Sequence, residues 1–138
     1  MRKLNNVVLA IDFDETIAER ARFPESGEPL DGAIEYINKL YNEGYYIIIW
    51  TCRSGMHKLI AEKYLLENGI CFDKVNEARP HELYQFNNED TRKVWAHAYI
   101  DDSSLQWKVE GMPTWDKIYD MCQLLKPHNC IPEPKKQD

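Results

Sequence analysis

The chain has 138 residues, the size of one ordinary domain, and is 43% hydrophobic with four Trp and eight Tyr, enough for a real core. Its formal net charge of -6 argues against generic nucleic-acid binding through phosphates and leaves only a local basic site open. No run approaches membrane-spanning length, and Arg2-Lys3 followed by a short apolar run ending at Asp12 is a poor secretory leader.

In chain order, residues 5–13 read as a first strand. Five apolar residues, Val7-Val8-Leu9-Ala10-Ile11, run straight into Asp12 and Asp14. An apolar run of this kind suits a strand buried on both faces of a parallel sheet. Residues i and i+2 of an extended chain point to the same side, so Asp12 and Asp14 are expected to face one point with Phe13 turned away. Two readings stand here. The carboxylates could share a hard cation, Mg²⁺ by preference. Alternatively, the strand ends in a solvated acidic turn with Asp14 or Thr16 as a cap.

Residues 15–29 are polar and broken by Pro24, Gly27 and Pro29, with room for a short hairpin. Asp31 reads as an N-cap for a helix carrying Ile34, Ile37 and Tyr41 on one face, with Ala33 and Leu40 beside them and Gly44 as its stop. Residues 45–50 form a second apolar strand, ending in Thr51-Cys52-Arg53-Ser54-Gly55. The next helix runs to Asn68, with Met56, Leu59, Ile60 and Leu66 expected inward and Gly69 as its stop. Residues 70–75 suggest a short strand, 76–90 an irregular polar stretch, and 91–95 a helical turn. Residues 97–100 are a further strand, followed by Asp101-Asp102. Trp115, Ile118, Tyr119, Cys122 and Leu125 mark the face of a last helix that Pro127 closes. Residues 1–126 read as one domain and 127–138 as an extended or loose tail. The four cysteines, Cys52, Cys71, Cys122 and Cys130, form no C-x-x-C pair and no zinc spacing, so reduced thiols in a cytoplasmic protein are expected.

Strand and helix alternate along this chain. The expected fold is α/β: a Rossmann-like, doubly wound, mainly parallel sheet with helices on both faces. Every carboxyl strand end then falls on one edge, which collects Asp12, Asp14, Thr51, Arg53, Asp101 and Asp102. Carboxylates around a hard cation suit phosphoryl transfer. One carboxylate can attack phosphorus, a second can move the proton, a hydroxyl can hold the phosphoryl oxygens, and a lysine can offset negative charge.

The residues at that edge resemble the motifs of the haloacid dehalogenase (HAD) superfamily, specifically its phosphatases. The D-x-D-x-T motif stands as Asp12-Phe13-Asp14-Glu15-Thr16, the hydroxyl motif as Thr51, the basic motif as Lys93 with Arg92 as a weaker rival, and the acidic pair as Asp101-Asp102. The ordered set spans residues 7–102. The resemblance implies Asp12 as nucleophile and Mg²⁺ ligand, and Asp14 as general acid/base with its carbonyl on the metal. It implies Thr51 and Lys93 as phosphoryl-binding and charge-neutralising groups. Asp102 is the favoured further metal ligand, with Asp101 supporting Lys93 or reaching the metal through water. Glu15 stands where many family phosphatases carry Gly, so it either alters the loop or faces the substrate. The family's cap insertions would fall in residues 15–30 and 76–90, both too short, so a capless type without a cap domain is implied. Its site would be open to large phosphorylated substrates or to a lid from a partner subunit.

Arg53 and Ser54 are further substrate-binding candidates, Ser54 with capping as the plainer role. His57, Arg20, Arg22, Arg79 and His81 read first as surface groups, and Cys52 as a packing residue. The leading expectation is an Mg²⁺-dependent phosphomonoesterase working through an aspartyl-phosphate. The alternatives are a phosphate- or metal-binding scaffold of the same fold and, less favoured by motif order, a receiver-type signalling domain. The expected partner is a phosphorylated substrate, with no membrane, a polynucleotide disfavoured but left open, and an oligomer possible.

Overall fold

The computed structural model describes residues 2–131. Its elements in order are β1 (Val8–Ile11), β2 (Ala18–Arg20), β3 (Ser26–Pro29), α1 (Ala33–Asn42), β4 (Tyr46–Ile49), α2 (Gly55–Glu67), β5 (Lys74–Val75), α3 (Pro80–Gln85), β6 (Ala98–Ile100), α4 (Leu105–Glu110) and α5 (Trp115–Cys122). β1, β4, β5 and β6 form one parallel sheet in the order β5-β4-β1-β6, and β2 and β3 pair antiparallel as a separate hairpin. This is the Rossmann-like α/β fold expected from the alternation of elements.

The chain steps outward from β1 to β4 to β5, then returns to the far side of β1 as β6. Right-handed crossovers place these two legs on opposite faces. The packing agrees. Leu9, Ile11, Ile47 and Ile49 meet Ile37, Leu40, Leu65 and Ile118 from α1, α2 and α5 on one face. Val8, Ala10 and Ile48 meet Val94, Ala96 and Trp95 from the returning segment on the other. Every residue of β1 is buried, which explains why that strand is apolar throughout rather than alternating. Register brings Ile11 level with Ile49 on one side and Ile100 on the other. The three chains therefore leave the sheet at the same height, at the point where strand order reverses. No helix among the described residues is long and apolar enough to cross a membrane.

Several local expectations give way. Gly32, not Asp31, is the N-cap of α1, in the left-handed region at φ 80. A Cβ there would stand 3.2 Å from both Trp115 Cβ and the Tyr36 ring, so close packing as well as backbone asks for glycine. Residues 91–95 bend without forming a helical turn, whereas α3 occupies part of the stretch expected to be irregular. The short hairpin that residues 15–29 had room for is present as β2–β3.

The inward face of α2 is also corrected. Ala61 and Leu65 are its buried residues, while Met56, Leu59 and Leu66 are exposed. Apolar side chains surround this helix, so periodicity selects no single face. The turn at Gly69 and the landing of Ile70 in the core decide the rotation instead.

The segment after α5 is docked as far as the description reaches. The Val8 N–H donates to His97 Nδ1 at 2.9 Å, and His97 Nε2 meets the backbone of His128, 3.0 Å from its nitrogen and 3.1 Å from its carbonyl oxygen. Cys130 Sγ donates to Gln85 Oε1 at 2.8 Å. The remainder of the expected loose tail, residues 132–138, lies outside the described residues.

The two neighbouring leucines of α2 test this packing. Leu65→Ala is expected to cost about 2–5 kcal/mol in urea unfolding, since the side chain is fully buried. Leu66→Ala, on the exposed side, should stay within about 0.5 kcal/mol.

Candidate active site

Asp12 leaves β1 directly after Ile11, and its N–H still bonds the Ile100 carbonyl at 2.9 Å. Asp101 and Asp102 leave β6 beside it. Asp12, Asp101 and Asp102 each offer one carboxylate oxygen, all within 4.8 Å of one another. Two oxygens on one ion lie at most twice the metal–oxygen bond apart, about 4.2 Å for Mg²⁺ and about 5 Å for Ca²⁺. The cluster therefore offers three hard oxygen donors that could hold a cation.

Thr16 holds this cluster together. It is fully buried. Its hydroxyl accepts the Asp102 N–H at 3.0 Å and lies 3.2 Å from Asp12 Oδ2 and 3.1 Å from Asp102 Oδ1, with one proton to give to either. Its carbonyl accepts the buried indole N–H of Trp115 at 3.0 Å, which anchors the loop to α5. Asp101 Oδ1 accepts the Ser103 N–H at 2.8 Å. Burial first, then a hydrogen bond with Asp102 and the charges of Asp101 and Asp102, push the Asp12 carboxyl up to about 8, against a weaker pull from the Phe13 N–H.

Asp14 goes elsewhere. Its carboxylate accepts two bonds from Arg53, Nε to Oδ2 at 2.9 Å and NH2 to Oδ1 at 2.8 Å. The expectation that Asp12 and Asp14 face one point is not met by their side chains. β1 ends at Ile11, and the chain then turns around the Phe13 carbonyl, which takes the N–H groups of Ile17 and Ala18 at 2.9 and 3.3 Å. Extended-strand geometry does not reach Asp14. Arg53 is buried, and its third nitrogen, NH1, bonds the carbonyls of Pro24 at 2.7 Å and His57 at 3.3 Å. The rings of Phe13 and Phe23 lie 5.1 and 4.9 Å from the guanidinium carbon. One side chain thus joins the loop after β1, the β2–β3 hairpin and the first turn of α2.

Thr51 lies two residues past the end of β4, beside β1, and is nearly buried. Its Oγ1 accepts the Arg53 N–H at 3.1 Å, and Asn76 grips its backbone from both sides, accepting from the N–H at 2.8 Å and donating to the carbonyl at 2.9 Å. Ser54 is the N-cap of α2 but makes no side-chain capping bond. Glu15 keeps the left-handed conformation a glycine would take, at φ 63, and pairs with Arg20 at 3.0 Å. Lys93 is exposed, its amine 4.7 Å over the Tyr99 ring, and it is in no ion pair among the described residues. The cation beside the acidic cluster is Lys108 of α4, 3.7 Å from Asp102 Oδ2. Nothing in the sequence marked Lys108, which sits on a short helix with no buried residue. Asn76 carried one faint signal, an amide directly after an apolar strand.

A solved structure of the conserved protein of a Bacteroides thetaiotaomicron locus matches this chain with a TM-score of 0.73 and 32% identity, over 86% of this chain and 91% of that one. The chain belongs to the family of that protein. No family model and no curated protein matches it.

The Asp12 carboxyl makes metal-free stability depend on pH. Its folded value lies above the ordinary 3.8, so the folded state holds a proton that the unfolded chain releases. The stabilisation is complete below about 4 and is lost as pH rises through about 8. Burial lowers His97 below 6.5, beneath the range in which Asp12 titrates. Chelator-treated protein should show a thermal midpoint that falls between about pH 7 and pH 8.5, and Asp12→Asn should flatten that slope.

Proposed function

We propose that this chain is an Mg²⁺-dependent phosphomonoesterase that works through an aspartyl-phosphate. The observation that carries this reading is the meeting of Asp12, Asp101 and Asp102 at the ends of two adjacent parallel strands, with Thr51 at the end of the next. Asp12, Asp102 and Asp101 would hold the ion, with the Asp14 carbonyl as a further oxygen. When bound, Mg²⁺ would neutralise the cluster, favour ionised Asp12 and polarise the phosphoryl group.

The chain's own groups then divide the work. Asp12 attacks phosphorus and expels the alcohol, forming the acyl-phosphate. Asp14 gives a proton to the departing oxygen, then takes one from the water that hydrolyses the intermediate. To carry that proton, Asp14 has to free one oxygen from Arg53, because both accept hydrogen bonds in the resting geometry. Thr51 orients a phosphoryl oxygen. Lys108 stands closer to the acidic cluster than any lysine the motif order suggested, and takes the charge-offsetting role first given to Lys93. With no C-x-x-C pair or zinc spacing, a cytoplasmic location fits the same reading.

Asp12→Asn should reduce Mg²⁺-dependent release of phosphate from p-nitrophenyl phosphate by roughly 10³-fold or more. Undiminished turnover would end the proposal. Lys108→Ala should lower kcat/KM more than Lys93→Ala does; the reverse order would restore Lys93 to the role. Metal binding by calorimetry without turnover of any phosphate ester would favour the binding-protein alternative.

A further inference from the structure

The hairpin does more than cover the loop after β1. Between it and Arg53 lies a cavity of about 220 Å³, into whose wall Asp14 is built. This inference rests on the phosphatase reading: if Asp14 protonates the leaving oxygen, the alcohol must lie within hydrogen-bond reach of Asp14. We propose that this cavity is the leaving-group subsite, and that it selects compact phosphate monoesters whose alcohol carries hydroxyls or an ammonium and no second anionic group.

Size comes first. Sites for drug-sized ligands run from about 300 to 1,000 Å³, so a cavity of about 220 Å³ admits a small alcohol. An open, capless edge led to the expectation of large substrates; the hairpin narrows it on this side.

Charge is the second argument. Three carboxylates line the cavity, those of Asp14, Glu15 and Glu25, against the two guanidiniums of Arg20 and Arg53. Arg53 is not free to receive an anion. Arg53 spends its nitrogens on Asp14, Pro24 and His57, and its side chain is 3% exposed. Arg20 is paired with Glu15 at 3.0 Å. That pair is exposed and weak and engages Arg20 through Nε alone, but the carboxylates of the wall still outnumber its guanidiniums by three to two. Glu25 is in no ion pair among the described residues. A second anion would therefore meet uncompensated negative charge, whereas an ammonium or hydroxyls would find acceptors. Phe23, 59% exposed and edge-on to His57 at 4.7 Å, supplies an apolar wall for the carbon skeleton.

Matched esters isolate the effect. Ethanolamine phosphate and phosphoglycolate differ at the distal group, as do glycerol 3-phosphate and 3-phosphoglycerate. At fixed Mg²⁺ and ionic strength, the carboxylate-bearing member of each pair should have a kcat/KM about tenfold lower, with Glu25→Gln narrowing the gap and Glu25→Lys closing or reversing it. Turnover of p-nitrophenyl phosphate with equal rates within the pairs, or a preference for the carboxylates, overturns the subsite while leaving the phosphatase reading intact. So does a preference that Glu25→Lys does not move. Failure to hydrolyse any ester, p-nitrophenyl phosphate included, overturns the phosphatase reading. The same pairs are then compared as ligands by thermal shift, where a stronger shift from the carboxylates, or none from either member, overturns the cavity's selectivity as well.

Discussion

Repulsion among three carboxylates is the force this fold has to hold in check. Two strand ends of a buried sheet bring Asp12, Asp101 and Asp102 together, and each negative charge raises the cost of the others. The surroundings answer that cost with fixed donors rather than with distance. The Thr16 hydroxyl touches two of the three acids, Trp115 fixes the Thr16 carbonyl, and Ser103 donates to Asp101. Burial first, and then the neighbouring acids, raise the Asp12 carboxyl to about 8. A cation held there would relieve the same stress.

A second electrostatic device sits beside the first and follows a different rule. Arg53 and Asp14 form a fork of two parallel bonds, the strong form of an arginine–carboxylate contact. Arg53 is buried between two phenylalanine rings, so the pair is screened little on the arginine side. The two aspartates of the D-x-D sequence thereby enter unlike surroundings, one among acids and one on a guanidinium. Groups that share a sequence motif but not an environment can take different parts in one reaction.

The frame of the fold was legible in the sequence, because its signals are strong. β1 and β4 are apolar throughout, Gly44 and Gly69 end their helices, and polar residues follow the strands that end level at the carboxyl edge. The parts that escaped had weak or divided signals. Pro80 lies in the stretch expected to be irregular, yet it opens α3, where a proline's missing N–H costs nothing. α4 buries no residue, so no periodicity announces it, and Lys108 was hidden with it. At the site, Asp12, Thr51, Asp101 and Asp102 could be placed because strand ends position them. The partners of Asp14 and Lys93 could not, since side-chain direction past a strand's last residue depends on the turn that follows. Glu15 shows the same limit: its residue type suggested a changed loop, and its backbone keeps the glycine-like form.

The link from Thr16 to Asp102 spans 86 residues of sequence. The other strand beside β1 arrives far earlier, since β4 follows after one helix. Half of the sheet can therefore form while the acidic site does not yet exist, and the loop that completes it is among the longest the chain has to close. Contacts of that separation are the slow ones in folding. In a refolding reaction the three carboxylates come together only once β6 has joined the sheet, so any ligand of that cluster would have to wait for this late strand.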